Sequence, residues 1–237
     1  MPTPNLRIHL YSDGADVRDM VAARAAGLVK GFTTNPTLMR KSGITDYESF
    51  AKDALQAVSG MPISFEVFAD EFDEMERQAK LISTWGEGVF VKIPITNTRG
   101  ETAVPLIRRL SKAGVKLNVT AILTLQQVKD VVDALDANVP AIVSVFAGRI
   151  ADTGRDPVPL MKEAREIVDA KPKAQLLWAS PRELLNIIQA DECGCHIITV
   201  TPDILKKLAM VGKSLDELSL DTVRMFYQDA AAAGFRL

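Results

Sequence analysis

Little in this sequence points to an oxidised, membrane-bound or nucleic-acid-binding protein. Its 237 residues include only two cysteines, Cys193 and Cys195 in "ECGCH". A bridge between such near neighbours would be strained, which excludes a disulfide framework and leaves two reduced thiols. A metal site on them has only His196 nearby as a further ligand, so no metal is expected. Neither sign of charge dominates: 28 Lys and Arg face 30 Asp and Glu, a formal net charge of −2. No nucleic-acid or membrane-surface partner is therefore expected, although a local cationic pocket stays open. The longest apolar runs break well short of the roughly 18 residues that span a bilayer. The start "MPTPNLRIHL" lacks the charged and apolar regions of a signal peptide, so a cytoplasmic chain is expected. No low-complexity linker or shift in composition marks a second domain, and one domain over 1–237 is expected.

What is present is an alternation. Short apolar, strand-like runs fall at 6–12, 31–34, 63–68, 89–95, 116–122, 141–148, 174–180 and 196–201. Amphipathic, helix-like segments lie between them at 16–26, 46–58, 70–83, 101–112, 125–136, 157–170, 182–190 and 202–209. In 70–83 the apolar Phe72, Met75, Ala79 and Ile82 recur at three- and four-residue spacing among acids and bases, which is the helical period. Eight such units close naturally into a (β/α)8 barrel, an α/β fold, with a doubly wound open sheet as the alternative. The segment 214–235 reads as one further helix, capped by Ser219 or Asp221 and ending near Gly234.

One run raises a chemical question. "GVFVKIPIT" (88–96) reads as a core strand, yet Lys92 stands in its middle. Lysine is almost never fully buried without a partner, because an ammonium is costly to desolvate. In a barrel of this kind the site sits at the C-terminal ends of the strands, and unusual polar residues collect there: Asp13, Thr33, Thr34, Asn35, Glu66, Lys92, Asn118, Thr120, Ser144, Arg149, Ser180 and Arg182. Each has a plain structural reading. Asp13 can start a turn or cap a helix, Asn35-Pro36 can be a turn signal, Glu66 and Lys92 can be a buried ion pair, and Arg149 and Arg182 can be solvated loop charges. Together they require polar groups at seven strand ends on one face of the barrel, which structure alone does not call for.

Desolvation and neighbouring cations lower a lysine's pKa and leave a nitrogen able to attack a carbonyl. The resulting iminium is an electron sink, so a carbon–carbon bond β to nitrogen can break with no metal or organic cofactor. Asp13 or Glu66 can move the protons. Asparagines and threonines suit sugar hydroxyls, and two arginines suit a phosphate. The combination points to a sugar-phosphate aldol reaction.

These residues resemble the transaldolases over nearly the whole chain. "GFTTNPTL" (31–38) is similar to that family's "GVTTNPSL", "VKIP" (91–94) to its Schiff-base lysine strand, and "NVTAI" (118–122), "SVFAGRI" (144–150) and "ASPR" (179–182) to its later signatures, in order. The resemblance implies a (β/α)8 barrel and an enzyme of the pentose phosphate pathway that needs no cofactor. It implies that Lys92 forms the Schiff base with a ketose phosphate, that Asp13 takes the C4 hydroxyl proton, and that Glu66 works through a water held by Thr120. Asn35 and Asn118 would hold the three-carbon fragment and Ser144, Arg149 and Arg182 the phosphate, with Thr33, Phe146 and Ser180 completing the substrate-binding set.

The related fructose-6-phosphate aldolases, which release free dihydroxyacetone, have a glutamine at the position resembling Glu66 and a tyrosine at that of Phe146. Both positions here carry the transaldolase type, and a phenylalanine cannot donate a proton or orient a water. Transfer is expected over release. An aldolase, a related enzyme for another anionic sugar such as a sulfonate, and a barrel that only binds sugar phosphates are the alternatives; the set Lys92, Asp13 and Glu66 argues against the last. Gly14, Val145, Ala147 and Pro181 depart from the family's usual pattern. Short chains of the family form rings of five stacked as decamers, so a homo-oligomer is expected, either a decamer clasped by 219–233 or a dimer.

Overall fold

β-Branched and aromatic residues dominate the eight apolar runs, and all eight become strands. They are β1 (His9–Asp13), β2 (Gly31–Thr33), β3 (Ile63–Glu66), β4 (Val89–Pro94), β5 (Leu117–Ile122), β6 (Ala141–Val145), β7 (Ala174–Trp178) and β8 (Ile197–Val200). Each pairs in parallel with the next, and β1 closes on β8. The closed order realises the (β/α)8 barrel and removes the open-sheet alternative. The computed structural model describes residues 6–236; residues 1–5 and 237, which the expected domain included, lie outside them. The described residues fall into two compact units, a barrel over 6–205 and a C-terminal segment over 206–236.

The intervening helices are α1 (Val17–Ala25), α2 (Pro36–Lys41), α3 (Tyr47–Val58), α4 (Phe72–Ser83), α5 (Val104–Lys112), α6 (Leu125–Ala134), α7 (Ala147–Ala151), α8 (Val158–Val168), α9 (Leu185–Glu192) and α10 (Pro202–Lys206). Local signals fix their ends. Asp46 caps α3 by accepting from Ser49 N–H, and α6 starts with a full capping box of Thr124 and Gln127. Helix α4 buries Met75, Ala79 and Ile82 and carries Asp73 and Glu74 in its first turn and Lys80 in its last, which suits the helix dipole. Two helices were not expected. The Asn35-Pro36 pair is the N-cap and first residue of α2 rather than a simple turn, and the sixth run stops at Val145 so that α7 can begin at Ala147.

Strand alternation sorts the barrel into layers. Residues such as Phe65, Val91, Ile93, Val119, Val143 and Trp178 are fully buried, each contributing about 2–3 kcal/mol of apolar burial. On the alternate parity, Tyr11, Phe90, Ile142, Leu177 and Ile197 form one buried cluster. Gly31 is needed beside it, since a Cβ there would come within 2.5 Å of the Tyr11 ring. Two residues further along the same strands, this apolar plug gives way to Asp13, Lys92, Ser144 and Thr199. Polarity therefore begins where the plug ends.

The C-terminal unit contains α11 (Leu215–Ala233), which starts after Ser214 without a side-chain cap and is closed by Gly234 in the left-handed region at φ 68°. The expected caps Ser219 and Asp221 instead lie inside the helix, because it starts one turn earlier; Asp221 pairs with Lys213 and with Arg224. Among the described residues no helix is long and apolar enough to cross a membrane.

Candidate active site

The strand ends enclose a cavity of about 470 Å³. Ten of the twelve expected residues line it: Asp13, Thr33, Asn35, Glu66, Lys92, Thr120, Ser144, Phe146, Arg149 and Ser180. Sheet register brings the central ones together. Glu66 and Lys92 are paired across β3 and β4, Lys92 and Asn118 across β4 and β5, and Asp13 and Thr33 across β1 and β2. Paired residues point to the same side of a sheet, here the inside of the barrel.

Lys92 is 8% exposed, and its Nζ donates to the Thr34 carbonyl at 2.6 Å. It makes no ion pair with Glu66, so the reading of those two as a simple buried salt bridge fails. Burial pushes the Asp13 carboxyl above the usual carboxylate range, against the pull of Lys92 and of a hydrogen bond from Thr33. Burial also raises Glu66; Lys92 lowers it in part, and Asp13 adds to the rise. One ammonium thus faces two desolvated acids, and the charges favour one acid keeping its proton to higher pH than a free carboxylate.

Each acid is held by an element that the sequence reading did not assign. Thr33 Oγ1 donates to Asp13 Oδ1 at 2.7 Å and lies 2.5 Å from Thr199 Oγ1 on β8. The Tyr47 hydroxyl, at the start of α3, accepts from Glu66 N–H at 2.9 Å and donates to its carbonyl at 3.1 Å. Edge-on contacts with Phe65, Phe68 and Trp85 lock the Tyr47 ring. Tyr47 was not legible as a site residue, since its partner lies 19 positions away on another element. Thr199 was: it stands at an inward position of β8, two residues after Ile197 of the plug.

The rim is shaped by two backbone features. In β5 an extra residue relative to β6 falls between Val119 and Ile122, where Ala121 adopts φ 59°; this bulge turns the strand just after Thr120. Ser180 adopts φ 57°, and its carbonyl presses on α7 so closely that a Cβ on Gly148 would sit 1.5 Å from it. Only glycine fits there, and the contact sets Arg149 and Ser180 on the same rim. Arg149 Cζ lies 5.9 Å from the centre of the Phe146 ring, a cation–π distance. Arg149 has no ion pair among the described residues.

Two expected residues are placed otherwise. Arg182 does not line the cavity; it pairs with Asp152, with Nε 3.0 Å from Oδ1, and both side chains are about half exposed. Asn118 is fully buried beside the cavity rather than in it. Its Nδ2 donates to Ser64 Oγ at 3.0 Å and its Oδ1 accepts from Ser144 Oγ at 2.6 Å, so both ends of the amide already have partners. Asn35 lines the cavity while its Oδ1 caps α2 through Leu38 N–H, which leaves its NH2 as the end that can address a ligand. Cys193 and Cys195 are buried and unbridged, and burial raises both thiols. Among the described residues no group of three or more His, Cys, Asp or Glu is placed to hold a metal ion.

The family described as transaldolase/fructose-6-phosphate aldolase matches residues 10–237. A "Probable transaldolase" of Streptococcus agalactiae serotype V is 36% identical over 194 residues, covering 81% of this chain and 85% of the relative. "Probable transaldolase 2" of Listeria monocytogenes is 34% identical over 200 residues, 84% of this chain and 87% of the relative. Among solved structures, one described as "a putative phosphonomutase from Burkholderia cenocepacia J2315" superposes with a TM-score of 0.57 at 13% identity, over 87% of this chain and 93% of its own. At that identity the likeness concerns the barrel fold alone.

Proposed function

Since the chain belongs to the transaldolase/fructose-6-phosphate aldolase family, we propose that it moves a dihydroxyacetone unit from a ketose phosphate to an aldose phosphate through a Schiff base on Lys92. The observation that carries this reading is a buried amine, Lys92, sharing one cavity with two desolvated acids, Asp13 and Glu66.

The amine adds to the ketone carbon and gives a carbinolamine; loss of water gives the iminium. Glu66, with a water near Thr120, supplies and removes the protons of these steps. Asp13 accepts the C4 hydroxyl proton while the C3–C4 bond breaks. The bond's electron pair moves into the iminium, leaving an enamine on Lys92 and a free aldose phosphate. The enamine adds to the carbonyl of a second aldose phosphate, Asp13 returns the proton, and hydrolysis of the new iminium frees the lysine. Phe146 beside the cavity offers no proton to the waiting enamine, which favours transfer over release. Arg149 and Ser180 on the rim are the groups that address the phosphate, while the Ser144 hydroxyl proton goes to Asn118.

The same reading covers a homo-oligomer, supported by the exposed apolar side chains Leu220, Val223, Met225, Phe226 and Tyr227 of α11; light scattering tests it. Chemistry is tested by incubating the protein with fructose 6-phosphate, reducing with borohydride and mapping the added mass. A reduced three-carbon adduct on Lys92, absent in Lys92→Met, is the expected result. No adduct with either fructose 6-phosphate or sedoheptulose 7-phosphate overturns the proposal.

A further inference from the structure

Thr33 has a single hydroxyl proton and two oxygen neighbours, and this fixes a direction. While Asp13 is ionised its Oδ1 can only accept, so the Thr33 proton goes to it at 2.7 Å. The 2.5 Å contact between Thr33 and Thr199 then requires the proton of Thr199. We propose that Thr199 is a positioning residue for the proton-transfer step: its hydroxyl donates to Thr33, Thr33 donates to Asp13, and the chain holds one oxygen of the general base in its ionised, acceptor state. This rests on the reading of Asp13 as the base given above.

The placement suits such a chain. Thr33 lies on β2 and Thr199 on β8, the two strands that flank β1, so the base is supported from both neighbours. Thr33 is 1% and Thr199 6% exposed. Both hydroxyls lie on the wall of the cavity, and in Thr199→Val a methyl group fills the place of the lost donor. Hydrogen bonds in series polarise one another, so Thr199 strengthens the bond that Thr33 makes. With Oδ1 engaged, Oδ2 is the oxygen left to take the substrate proton.

The other groups facing Asp13 act differently. Lys92 on β4 favours its ionised form, and Asp13 in turn raises Glu66 on β3. Arg149 stands at the rim of the same cavity, as does the amide of Asn35. Tyr11, two residues earlier on β1, is pushed up to about 12 by burial and stays neutral. Asp16 and Arg18, at the start of α1, pair with each other. Thr199 and Thr33 are thus the uncharged support of this carboxylate, and removing Thr199 changes no charge in the cavity.

The experiment follows the Asp13 carboxyl carbon by 13C NMR in protein labelled at aspartate, with Asp13→Asn identifying the signal, and pairs it with the pH profile of kcat/KM. In Thr199→Val the Asp13 midpoint is expected to rise by about half a pH unit, the acid limb of the profile moving with it, and Thr199→Ser should restore both. A midpoint that stays at the wild-type value in Thr199→Val, or that serine fails to restore, overturns the proposal. Thr199→Ala gives the same comparison if the valine variant does not fold. The NMR titration needs no substrate. An inactive wild type with a shifting midpoint therefore overturns only the transaldolase reading, and an active enzyme with an unmoved midpoint overturns only the chain.

Discussion

The two ends of the barrel use the same kinds of side chain for opposite ends. At the bottom, Asp191 Oδ1 accepts from the backbone N–H groups of Arg7 and Ile8 at 2.7 and 2.8 Å. His196 Nδ1 accepts from Leu176 N–H at 3.0 Å, and Arg165 Nε donates to the Gly194 carbonyl at 2.6 Å. These groups line a hollow of about 300 Å³, yet their hydrogen bonds close the chain onto itself. At the mouth, Asp13, Glu66, Arg149 and Ser180 face a cavity, and their supports come from other side chains and strand ends. The groups below spend their hydrogen bonds mainly on the backbone; above, Lys92 also donates to the Thr34 carbonyl, yet it shares one cavity with two desolvated acids, and that company is what makes it available for chemistry.

Four experiments test that contrast. Lys92→Met at the mouth should lower transfer by about three orders of magnitude or more and leave the melting temperature unchanged or raised, because a buried amine is removed; assay and calorimetry on the same sample check both. Asp191→Ala at the bottom should do the reverse. It leaves two N–H groups without their acceptor, a loss of about 2 kcal/mol in chemical denaturation, with kcat intact.

The third experiment is a pair of pH titrations of stability with opposite slopes. Asp13 and Glu66 sit above their ordinary values in the folded protein, so the folded state binds more protons than the unfolded one. Their contribution is present at low pH and fades as pH rises from the ordinary carboxylate range through the raised values. Asp13→Asn and Glu66→Gln should flatten that slope. His196 is held down to about 4 from 6.5 by burial, Arg165 and His9. Its contribution is full above pH 6.5 and is lost as pH falls toward 4, a loss that His196→Gln should remove. The smallest effect belongs to the rim: Phe146→Tyr should shift the ratio of cleavage to transfer by about a few-fold, and an unchanged ratio would refute the role given to Phe146.

Legibility in the sequence followed distance along the chain. The eight strands were readable because each is a local apolar run, and Lys92, Asn118 and Thr120 stood out as polar residues within such runs. Helices α2 and α7, of six and five residues, are shorter than two turns and carry no measurable period. Arg182 looked like a phosphate ligand because its partner Asp152 lies 30 positions away. Asn118 looked available because Ser64 and Ser144 meet it only once the barrel closes. What a side chain is already bonded to is a tertiary fact.

Tyr47 grips Glu66 only by its main-chain N–H and carbonyl, and never touches the carboxylate. Its hold is indifferent to what residue 66 is. A glutamine in that place would be seated by the same phenol, at the same height on β3, with only the protonation chemistry altered. The anchor and the message are thus separable, and one codon can rewrite the second while the first is inherited unchanged.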